Sequence, residues 1–299
     1  MVEHTRIKSS VGDRLFTSMI YALLSVFFLM VLYPLIFILS ASISDPSAVV
    51  SGKVWLWPVQ PTLMGYEAVF KHKLIGSGFA NSVYYTVFGT LINIVMTVLA
   101  AYPLSRSDLY GKNVIMLLFV FTTMFSGGLI PGYLLVKDLG MLNTVWAMVL
   151  PGALSVWNVI ITRTYFQTAL PAELLEAAQI DGCNDFKFVG KIVIPLSGPI
   201  IAVMTLYYAV GHWNQYFNAM IFLNKQNLYP LQIVLRNILI QNDVNALMLS
   251  DIANVAQREA LRVLLKYSLI VVSTLPLMLV YPFVQKHFVK GVMIGSLKG

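Results

Sequence analysis

Charged residues are scarce in this sequence. Asp, Glu, Lys and Arg make up only 11% of its 299 residues, whereas hydrophobic residues make up 58%. Soluble domains contain about 25% charged and about 45–50% apolar residues. A water-facing globule of this composition would have too few polar side chains to cover its surface. The composition therefore excludes a soluble protein and predicts an integral membrane protein.

Cysteine and clustered metal ligands are lacking as well. The single cysteine, Cys183, has no partner for a disulfide within the chain and cannot build a thiolate cage around a metal. The four histidines are scattered, at His4, His72, His212 and His287, without the spacing of a metal site. We therefore expect no metal centre, no redox role and no cofactor bound by this chain.

Acidic residues are absent from the apolar stretches of the chain. Proton- or ion-coupled carriers keep ionisable groups inside the membrane, and an intramembrane acid protease needs paired acids. Within the apolar stretches, His212 is the only residue that could serve as such an ionisable group. No Gly-x-x-x-x-Gly-Lys-Ser/Thr phosphate loop is present, since the nearest look-alike, at 106–112, begins with Arg106. A chain of this kind that moved a solute uphill would need energy from a partner.

The sequence does contain six apolar stretches of the length that a membrane-spanning helix needs, about 20 residues. They cover residues 16–43, 80–104, 113–136, 142–161, 193–222 and 267–285. None contains a charged residue, which would cost about 2.5–3.5 kcal/mol at the bilayer centre. The first stretch is longer than the apolar part of a secretion signal, about 7–15 residues, so we expect it to be retained. The prediction is an all-α fold with six transmembrane helices.

Lys and Arg residues favour one orientation of these spans. With the N-terminus inside, the inside segments are 1–15, 105–112, 162–192 and 286–299, and the outside segments are 44–79, 137–141 and 223–266. The inside segments hold more Lys and Arg per residue, although the difference is modest. Because positive loops remain on the cytoplasmic side, both termini are predicted to be cytoplasmic.

The inside segment 162–192 carries a cluster of acids between Glu173 and Asp185. Residues 171–182 predict a short surface helix, with Pro171 at its first position and Gly182 as a left-handed stop. Helical spacing places Leu174, Ala177, Ala178 and Asp181 on one face. Asn184 is predicted to cap a second short helix. The acids favour a basic protein partner, and the alternative is a helix lying flat on lipid.

These residues resemble a known loop. Glu176-Ala177-Ala178, Asp181-Gly182, Ile192 and Ile194-Pro195 look like the EAA loop of binding-protein-dependent ABC importer permeases. Asn81-Ser82, the run 101–106, Trp213-Asn214, the run 281–291 and the end 295–299 resemble the maltose-type carbohydrate permeases. The tail most resembles a branch linked to complex oligosaccharides such as pectin or alginate fragments.

The resemblance implies a type I ABC importer permease fold of one domain, 1–299, with its core at about 80–290 and a cytoplasmic tail, 286–299. It implies a bacterial cytoplasmic membrane, a second related permease, two copies of a cytoplasmic ATPase that binds ATP and Mg, and an extracytoplasmic sugar-binding protein. The chain itself is then not an enzyme. The coupling residues carried over are Glu173, Glu176, Ala177, Ala178, Asp181, Gly182 and Pro195. The tail is expected either to reach along the ATPase pair or to lie on anionic lipid.

Candidate sugar contacts lie in the fifth stretch. They are Trp213, Asn214, Gln215, Tyr216 and Asn218. Aromatic faces stack on sugar rings and amides pair with hydroxyls, although polar side chains also join transmembrane helices to one another. The outside segment 223–266 is long enough to touch the binding protein. The alternatives are a permease for another solute, such as a different sugar or glycerol phosphate, and a membrane scaffold that transports nothing.

Overall fold

The structure of the chain is mostly helical in the part that it describes. This computed structural model describes residues 10–71, 73–241 and 255–296, with side chains for all of these except 172, 239–241, 255–260, 280 and 283–296. The chain is 78% helical, and no strand occurs among the described residues. The all-α prediction is confirmed.

In chain order the helices are α1 (Val11–Ser42), α2 (Pro46–Val50), α3 (Met64–Lys71), α4 (Lys73–Ser105), α5 (Lys112–Met124), α6 (Leu129–Asp138), α7 (Trp146–Val149), α8 (Val156–Ala169), α9 (Ala172–Ile180), α10 (Asp185–Phe188), α11 (Ile194–Leu196), α12 (Gly198–Trp213), α13 (Phe217–Phe222), α14 (Leu231–Gln241) and α15 (Val255–Ser296). A π-helical turn, Val189–Val193, joins α10 to α11. The described residues divide into two compact units, one of 10–71 with 255–272 and one of 73–241 with 273–296.

Helix α1 begins at a capping box. The Ser10 Oγ accepts a hydrogen bond from the Asp13 N–H at 3.2 Å, and the Asp13 carboxylate accepts one from the Ser10 N–H at 2.9 Å. Two N–H groups that would otherwise be unpaired at the helix start are thereby satisfied. The helix exposes apolar side chains on every side, and its first buried residues are Ser40 and Ala41. Such a surface suits lipid or another apolar helix.

The membrane spans differ in continuity. Helices α1 and α4 and the part Leu261–Leu279 of α15 are each long and apolar enough to cross a membrane. Two bent helix pairs pass the same test together, α5 with α6 at 113° and Asp185–Leu196 with α12 at 84°, and each is either a broken span or a re-entrant loop. Among the described residues, length and composition thus give up to five spans where the sequence predicted six. The predicted span at 142–161 is not one helix, because residues 150–155 separate α7 from α8.

Both bends have local causes. Gly128, which precedes α6, has a φ of +86°, a conformation that favours glycine. At the second bend Pro195 and Pro199 flank Ser197, and neither proline has an N–H to continue the helical ladder. The Ser197 N–H instead bonds to the carbonyl groups of Val193 and Ile194, at 3.0 and 3.1 Å. Apolar composition alone would have continued both helices through these points.

Helix α4 is the central element of the second unit, and α8, α12 and α14 pack against it. At its middle, a Cβ added to Gly89 would lie 2.5 Å from the His212 ring and 2.8 Å from Val149. Only glycine allows α4 and α12 to approach this closely. Towards the end of α4, a buried apolar cluster joins it to α8 and α12; its members include Val98, Ala101, Leu104, Val159, Phe166 and Met204.

In the first unit, α15 packs against the end of α1 and against α3. The Ser268 Oγ donates to the Ser42 carbonyl at 3.3 Å, and the hydroxyls of Ser42 and Tyr66 lie 2.8 Å apart. A Cβ added to Gly65 would lie 2.3 Å from the Ser268 hydroxyl and 3.0 Å from Leu264. Small and hydroxyl-bearing residues therefore hold these three helices together, as is common between helices in membranes.

Candidate coupling loop and translocation pathway

The predicted coupling helix is α9. It begins one residue later than predicted, because Pro171 precedes the helix as its N-cap residue. Gly182 has a φ of +71°, as predicted for a left-handed stop. The Cys183 N–H bonds to the Ala178 carbonyl at 2.9 Å, and the Gly182 N–H bonds to the Gln179 carbonyl at 3.0 Å. These two bonds form a Schellman motif, which fixes the direction in which the chain leaves α9.

Helix α9 packs inward through Leu175 and Ala178, which belong to the buried cluster on α4 and α8. The predicted shared face is therefore split, since Ala178 is buried whereas Leu174, Ala177 and Asp181 are exposed. Glu173 and Glu176 are exposed as well, and α9 carries no basic residue. The outer surface of the loop is thus acidic, with an exposed Ile180 at the helix end.

The second short helix of the loop, α10, is capped by Asn184, as predicted. The Asn184 Oδ1 accepts a hydrogen bond from the Lys187 N–H at 2.9 Å. At the end of α10, Phe188 is buried, and its ring centre lies 6.1 Å from that of Tyr102 in α4. The π-helical turn then leads to Pro195 and the bend before α12. Pro195 therefore lies where the loop joins the membrane segment.

Arg106, directly after α4, connects this loop to α4. Its guanidinium donates to both carboxylate oxygens of Asp108, at 2.8 and 2.5 Å, and to Asp185 of α10 at 2.5 Å. It also donates to the Tyr102 hydroxyl at 3.3 Å. The Arg106 side chain is only 14% exposed, whereas the two acids are 59% and 66% exposed. We call these four residues the Arg106 cluster.

The charges in the Arg106 cluster stabilise each other. The hydrogen bond from Arg106 lowers the pKa of Asp108, and the hydrogen bonds to Asp108, Tyr102 and Asp185 raise the pKa of Arg106. Neighbouring cations fix the same chain segment, since Arg163 donates to the Leu104 carbonyl at 2.9 Å and Lys112 donates to the Arg106 carbonyl at 2.8 Å. The cluster could not be foreseen from the sequence, because Asp108 and Asp185 lie far apart in the chain.

The predicted pathway residues surround a break in the helix. Helix α12 ends at Trp213 and α13 begins at Phe217. Trp213 is 4% exposed, its Nε1 donates to the Ser273 carbonyl at 3.0 Å, and its ring meets Phe79 edge-on at 5.6 Å. In this conformation Trp213 packs against its neighbours and presents no open ring face.

The other predicted residues are more accessible. Asn214 and Tyr216 are exposed, and Asn218 is partly exposed. The Asn214 Oδ1 accepts a hydrogen bond of 3.5 Å from Gln232 of α14. Gln215 is partly buried and donates to the Met148 carbonyl at 3.1 Å. Irregular backbone at membrane depth is tolerated only where protein buries it or where it lines a water-filled cavity. At this break Gln215 is partly buried by protein, whereas Asn214 and Tyr216 are exposed.

A buried polar network lies beside the interruption between α7 and α8. Asn93 of α4 is fully buried, and its Nδ2 donates to the Gly152 carbonyl at 2.6 Å. Its Oδ1 lies 2.6 Å from the His212 Nε2, so Nε2 carries the hydrogen. The His212 Nδ1 lies 3.3 Å from the Gln215 Oε1. Asn93 therefore pairs a carbonyl that the missing helical turn leaves free, and His212 takes part as a hydrogen-bonding neighbour.

At the opposite end of α4 from Arg106, three neutral side chains bind the segment before α14. Asn81 donates through Nδ2 to the carbonyl groups of Asn227 and Tyr229, at 2.8 and 3.0 Å. Ser82 accepts from the Leu231 N–H at 2.8 Å, and the Tyr85 hydroxyl donates to the Leu228 carbonyl at 2.8 Å. We call these three side chains the Asn81 clasp; they set the position at which α14 begins. Asn81-Ser82 thus has a structural role that its sequence position alone did not reveal.

Comparison with known proteins agrees with this architecture. Residues 74–294 match the family described as the binding-protein-dependent transport system inner membrane component. The match covers well over half of the chain, so the chain belongs to this family. It is a permease of the ABC transporter class, as the resemblance implied.

Individual relatives cover nearly the whole chain. The chain is 43% identical to the polygalacturonan/rhamnogalacturonan transport system permease protein YtcP of Bacillus subtilis, over 96% of this chain and 99% of that one. It is 40% identical to the protein LplC of the same organism, over 89% of each chain. A crystal structure of a bacterial ABC transporter involved in the import of the acidic polysaccharide alginate contains a chain that is 36% identical, with a TM-score of 0.87, over 94% of this chain and 99% of that one.

The comparisons confirm the permease fold and the membrane location. The family is not catalytic, and ATP hydrolysis is carried out by a separate ATPase. Membership also implies a substrate-binding protein and a second permease as partners.

Proposed function

We propose that this chain is one half of the translocation pathway of an ATP-driven importer for oligosaccharides, including fragments of acidic polysaccharides such as pectin or alginate. The single observation that carries the proposal is the coupling loop, in which an acidic helix with a fixed exit is joined to α4 by Arg106. The relatives described above support the class of substrate.

In this proposal Glu173, Glu176, Ala177 and Asp181 form the surface that fits a groove of the ATPase. Ala178 packs α9 onto the permease, Gly182 sets the loop geometry, and Pro195 lies where movement of the loop reaches α12. ATP and Mg are bound by the ATPase, and this chain binds no cofactor. Closure of the ATPase pair would then displace α9 and α10 as a unit and favour one of two arrangements of the spans.

The assembly that we propose contains a second related permease, two copies of the ATPase and one extracytoplasmic sugar-binding protein. Residues 1–299 act as one permease domain in a bacterial cytoplasmic membrane, with both termini cytoplasmic, in agreement with the distribution of Lys and Arg. The tail, 286–299, is proposed to lie along the ATPase pair. Its side chains are outside the described residues, and its backbone continues α15 as far as Ser296.

For the pathway, we propose that Asn214, Tyr216 and Asn218 contact the sugar, since they are at least partly exposed beside the break between α12 and α13. Trp213 and Gln215 contribute to the same site by holding the break in place through their bonds to Ser273 and Met148. Exposed amides offer both donors and acceptors to sugar hydroxyls.

The test of this function is reconstitution of the complete complex. The chain is co-expressed with the candidate second permease, ATPase and binding protein, purified and placed in proteoliposomes with ATP on the ATPase side. We expect oligogalacturonates or oligoalginates, together with the binding protein, to stimulate ATP hydrolysis and uptake. Uptake should continue when an uncoupler collapses the proton gradient. If only another solute stimulated ATP hydrolysis and uptake, the chain would belong to an importer for that solute. If no solute stimulated them, a membrane scaffold that transports nothing would be favoured.

The coupling role has its own test, Glu176→Lys, which places a cation on the acidic face of α9. Because Glu176 is exposed, the variant should insert in the membrane normally. We expect normal membrane abundance with uptake close to background. Normal uptake at normal abundance would contradict the proposed docking surface.

A further inference from the structure

Helix α14 presents two different surfaces. Leu231, Val234, Leu235 and Ile238 recur at helical spacing and are all buried. Gln232 and Arg236 lie four residues apart on another side of the helix, and both are only partly buried. Residues at this spacing are neighbours on a helix surface, with about 5–6 Å between their Cβ atoms. Arg236 therefore lies one turn beyond Gln232.

Contacts on two sides of α14 fix the position of its polar side, which carries Gln232 and Arg236. Helix α14 starts at the Asn81 clasp, where Ser82 accepts a hydrogen bond from the Leu231 N–H. A Cβ added to Gly78 of α4 would lie only 3.3 Å from the Leu231 backbone, so the two helices are in close contact. On the other flank Gln232 donates to Asn214. Arg236 consequently lies one helical turn from Gln232, the residue that contacts Asn214 beside the helix break of the proposed sugar pathway.

Arg236 has no hydrogen-bond or ion-pair partner in the part of the chain that the structure describes. Arg106, by contrast, uses its guanidinium for two carboxylates and a hydroxyl. A partly buried cation gains most from an anion that arrives with its own hydrogen-bond acceptors. The planar fork of a guanidinium matches a carboxylate through two parallel hydrogen bonds.

We propose that Arg236 binds a carboxylate group of an acidic oligosaccharide beside the Asn214–Gln232 pair, an assignment that rests on the proposed transport of oligosaccharides. The amides of Asn214 and Gln232 serve the hydroxyls of the same or the next sugar unit. The chemical class of the substrate is then a uronate-containing oligosaccharide. Its charge is recognised in the permease itself, in addition to any recognition by the binding protein.

The experiment compares two substrates that differ only in charge. Uptake of trigalacturonate and of its carboxyl-reduced trimer is measured in proteoliposomes of the complete complex, at saturating binding protein. We expect Arg236→Gln to lower uptake of the acidic trimer by about tenfold or more, the effect of one lost charged hydrogen bond. Uptake of the reduced trimer should change less than twofold relative to the parent chain, and Arg236→Lys should be intermediate for the acidic trimer.

A matched control is Lys137→Gln, which removes an exposed cation of the segment 137–141. It should leave uptake of both trimers unchanged. If the parent complex transports only the acidic trimer, the comparison with the neutral trimer is not possible. The KM for the acidic trimer is then measured as a function of salt concentration instead. KM should rise with salt in the parent chain and change much less in Arg236→Gln, because the screened charge pair is absent.

Several outcomes would overturn the assignment. An equal loss of both trimers would mean that Arg236 acts on folding or on docking of the binding protein. Unchanged uptake of the acidic trimer in Arg236→Gln, or an unchanged salt dependence, would exclude a carboxylate contact. A parent complex stimulated only by neutral oligosaccharides would reject the role of Arg236 and leave the importer proposal standing, whereas a complex stimulated by no oligosaccharide would reject both.

Discussion

The two ends of α4 hold their neighbouring segments by different chemistry. At the Asn81 clasp, amide and hydroxyl groups bind backbone atoms of residues 227–231. At the Arg106 cluster, a guanidinium binds carboxylates that are mostly exposed. Exposed ion pairs contribute only about 0–1 kcal/mol to stability. The clasp therefore mainly stabilises the fold, and we interpret the cluster as a device that aligns the coupling loop with α4.

Among variants at the two ends of α4, we expect Arg106→Gln to have the largest effect on uptake. This change removes both ion pairs and leaves Asp108 and Asp185 as unpaired like charges. We expect ATP-driven uptake in the reconstituted complex to fall by about tenfold, which corresponds to about 1.4 kcal/mol. The reason is that α10 is no longer tied to α4 and that the Tyr102 hydroxyl loses its donor as well. The ATPase should still copurify, since the surface of α9 is unchanged.

Two companion variants sharpen this result. Asp185→Asn removes the ion pair between the loop and α4, whereas Asp108→Asn removes only the pair between residues two apart in sequence. If the cluster aligns the loop with α4, Asp185→Asn should lower uptake about as much as Arg106→Gln, and Asp108→Asn should lower it less. Uptake is measured per unit of complex. A larger loss in Asp108→Asn than in Asp185→Asn would show that the cluster only holds the segment directly after α4 in place.

The next effect concerns the exit from α9. Gly182 has a φ of +71°, and a Cβ added there would meet nothing within 4 Å. Any loss on substitution therefore reflects backbone strain and no steric clash. Gly182→Ala should destabilise the loop by about 1–2 kcal/mol, and Gly182→Val by more because its side chain is β-branched. Copurification of the ATPase and uptake are the measurements, and equal values for both variants would mean that the position tolerates an ordinary residue.

A smaller effect is expected at the Asn81 clasp. Asn81→Leu loses two hydrogen bonds, each contributing about 0.5–1.5 kcal/mol. We expect a lower melting temperature of the purified complex and a few-fold loss of uptake, while the ratio of stimulated to basal ATP hydrolysis is kept. Asn227→Ala is the control, because Asn227 offers only its backbone carbonyl to Asn81. A control as damaging as Asn81→Leu would contradict this account.

The smallest effect is that of pH. The pKa of Asp108 lies below its ordinary value of 3.8 because Arg106 hydrogen-bonds to the carboxylate. A lowered pKa contributes stability that is present above 3.8 and is lost as pH falls through the lower, folded-state value. The ratio of stimulated to basal ATP hydrolysis should therefore not vary between pH 8 and 5 on account of Asp108. A midpoint in that range that disappears in Arg106→Gln would contradict the prediction.

Local features of the coupling loop were predictable from sequence, whereas its attachment was not. Gly182 and Asn184 act through bonds to residues within five positions, and the residue types alone indicate their roles. The bond from Arg106 to Asp185 joins residues 79 positions apart. Both belong to exposed polar segments in which many pairings were equally plausible.

The spans show the same division. Hydropathy predicted the long helices α1 and α4 but also a continuous span at 142–161. That segment is interrupted at Pro151 and Gly152, and Asn93, on another helix, pairs with the Gly152 carbonyl that the interruption leaves free. Hydropathy of the segment carries no information about such a partner. Helix α14, by contrast, could have been found inside the predicted outside segment, since Pro230 is followed by apolar residues at helical spacing.

The Schellman motif after α9 has a practical consequence. Its last residue, Cys183, is the only cysteine of the chain and is partly exposed. A thiol-reactive fluorophore would therefore attach to this chain at one known place, immediately beside the acidic helix, without removal of any other thiol of the chain. In the proposed complex its emission would report in real time whether the ATPase covers the loop during each cycle of ATP hydrolysis.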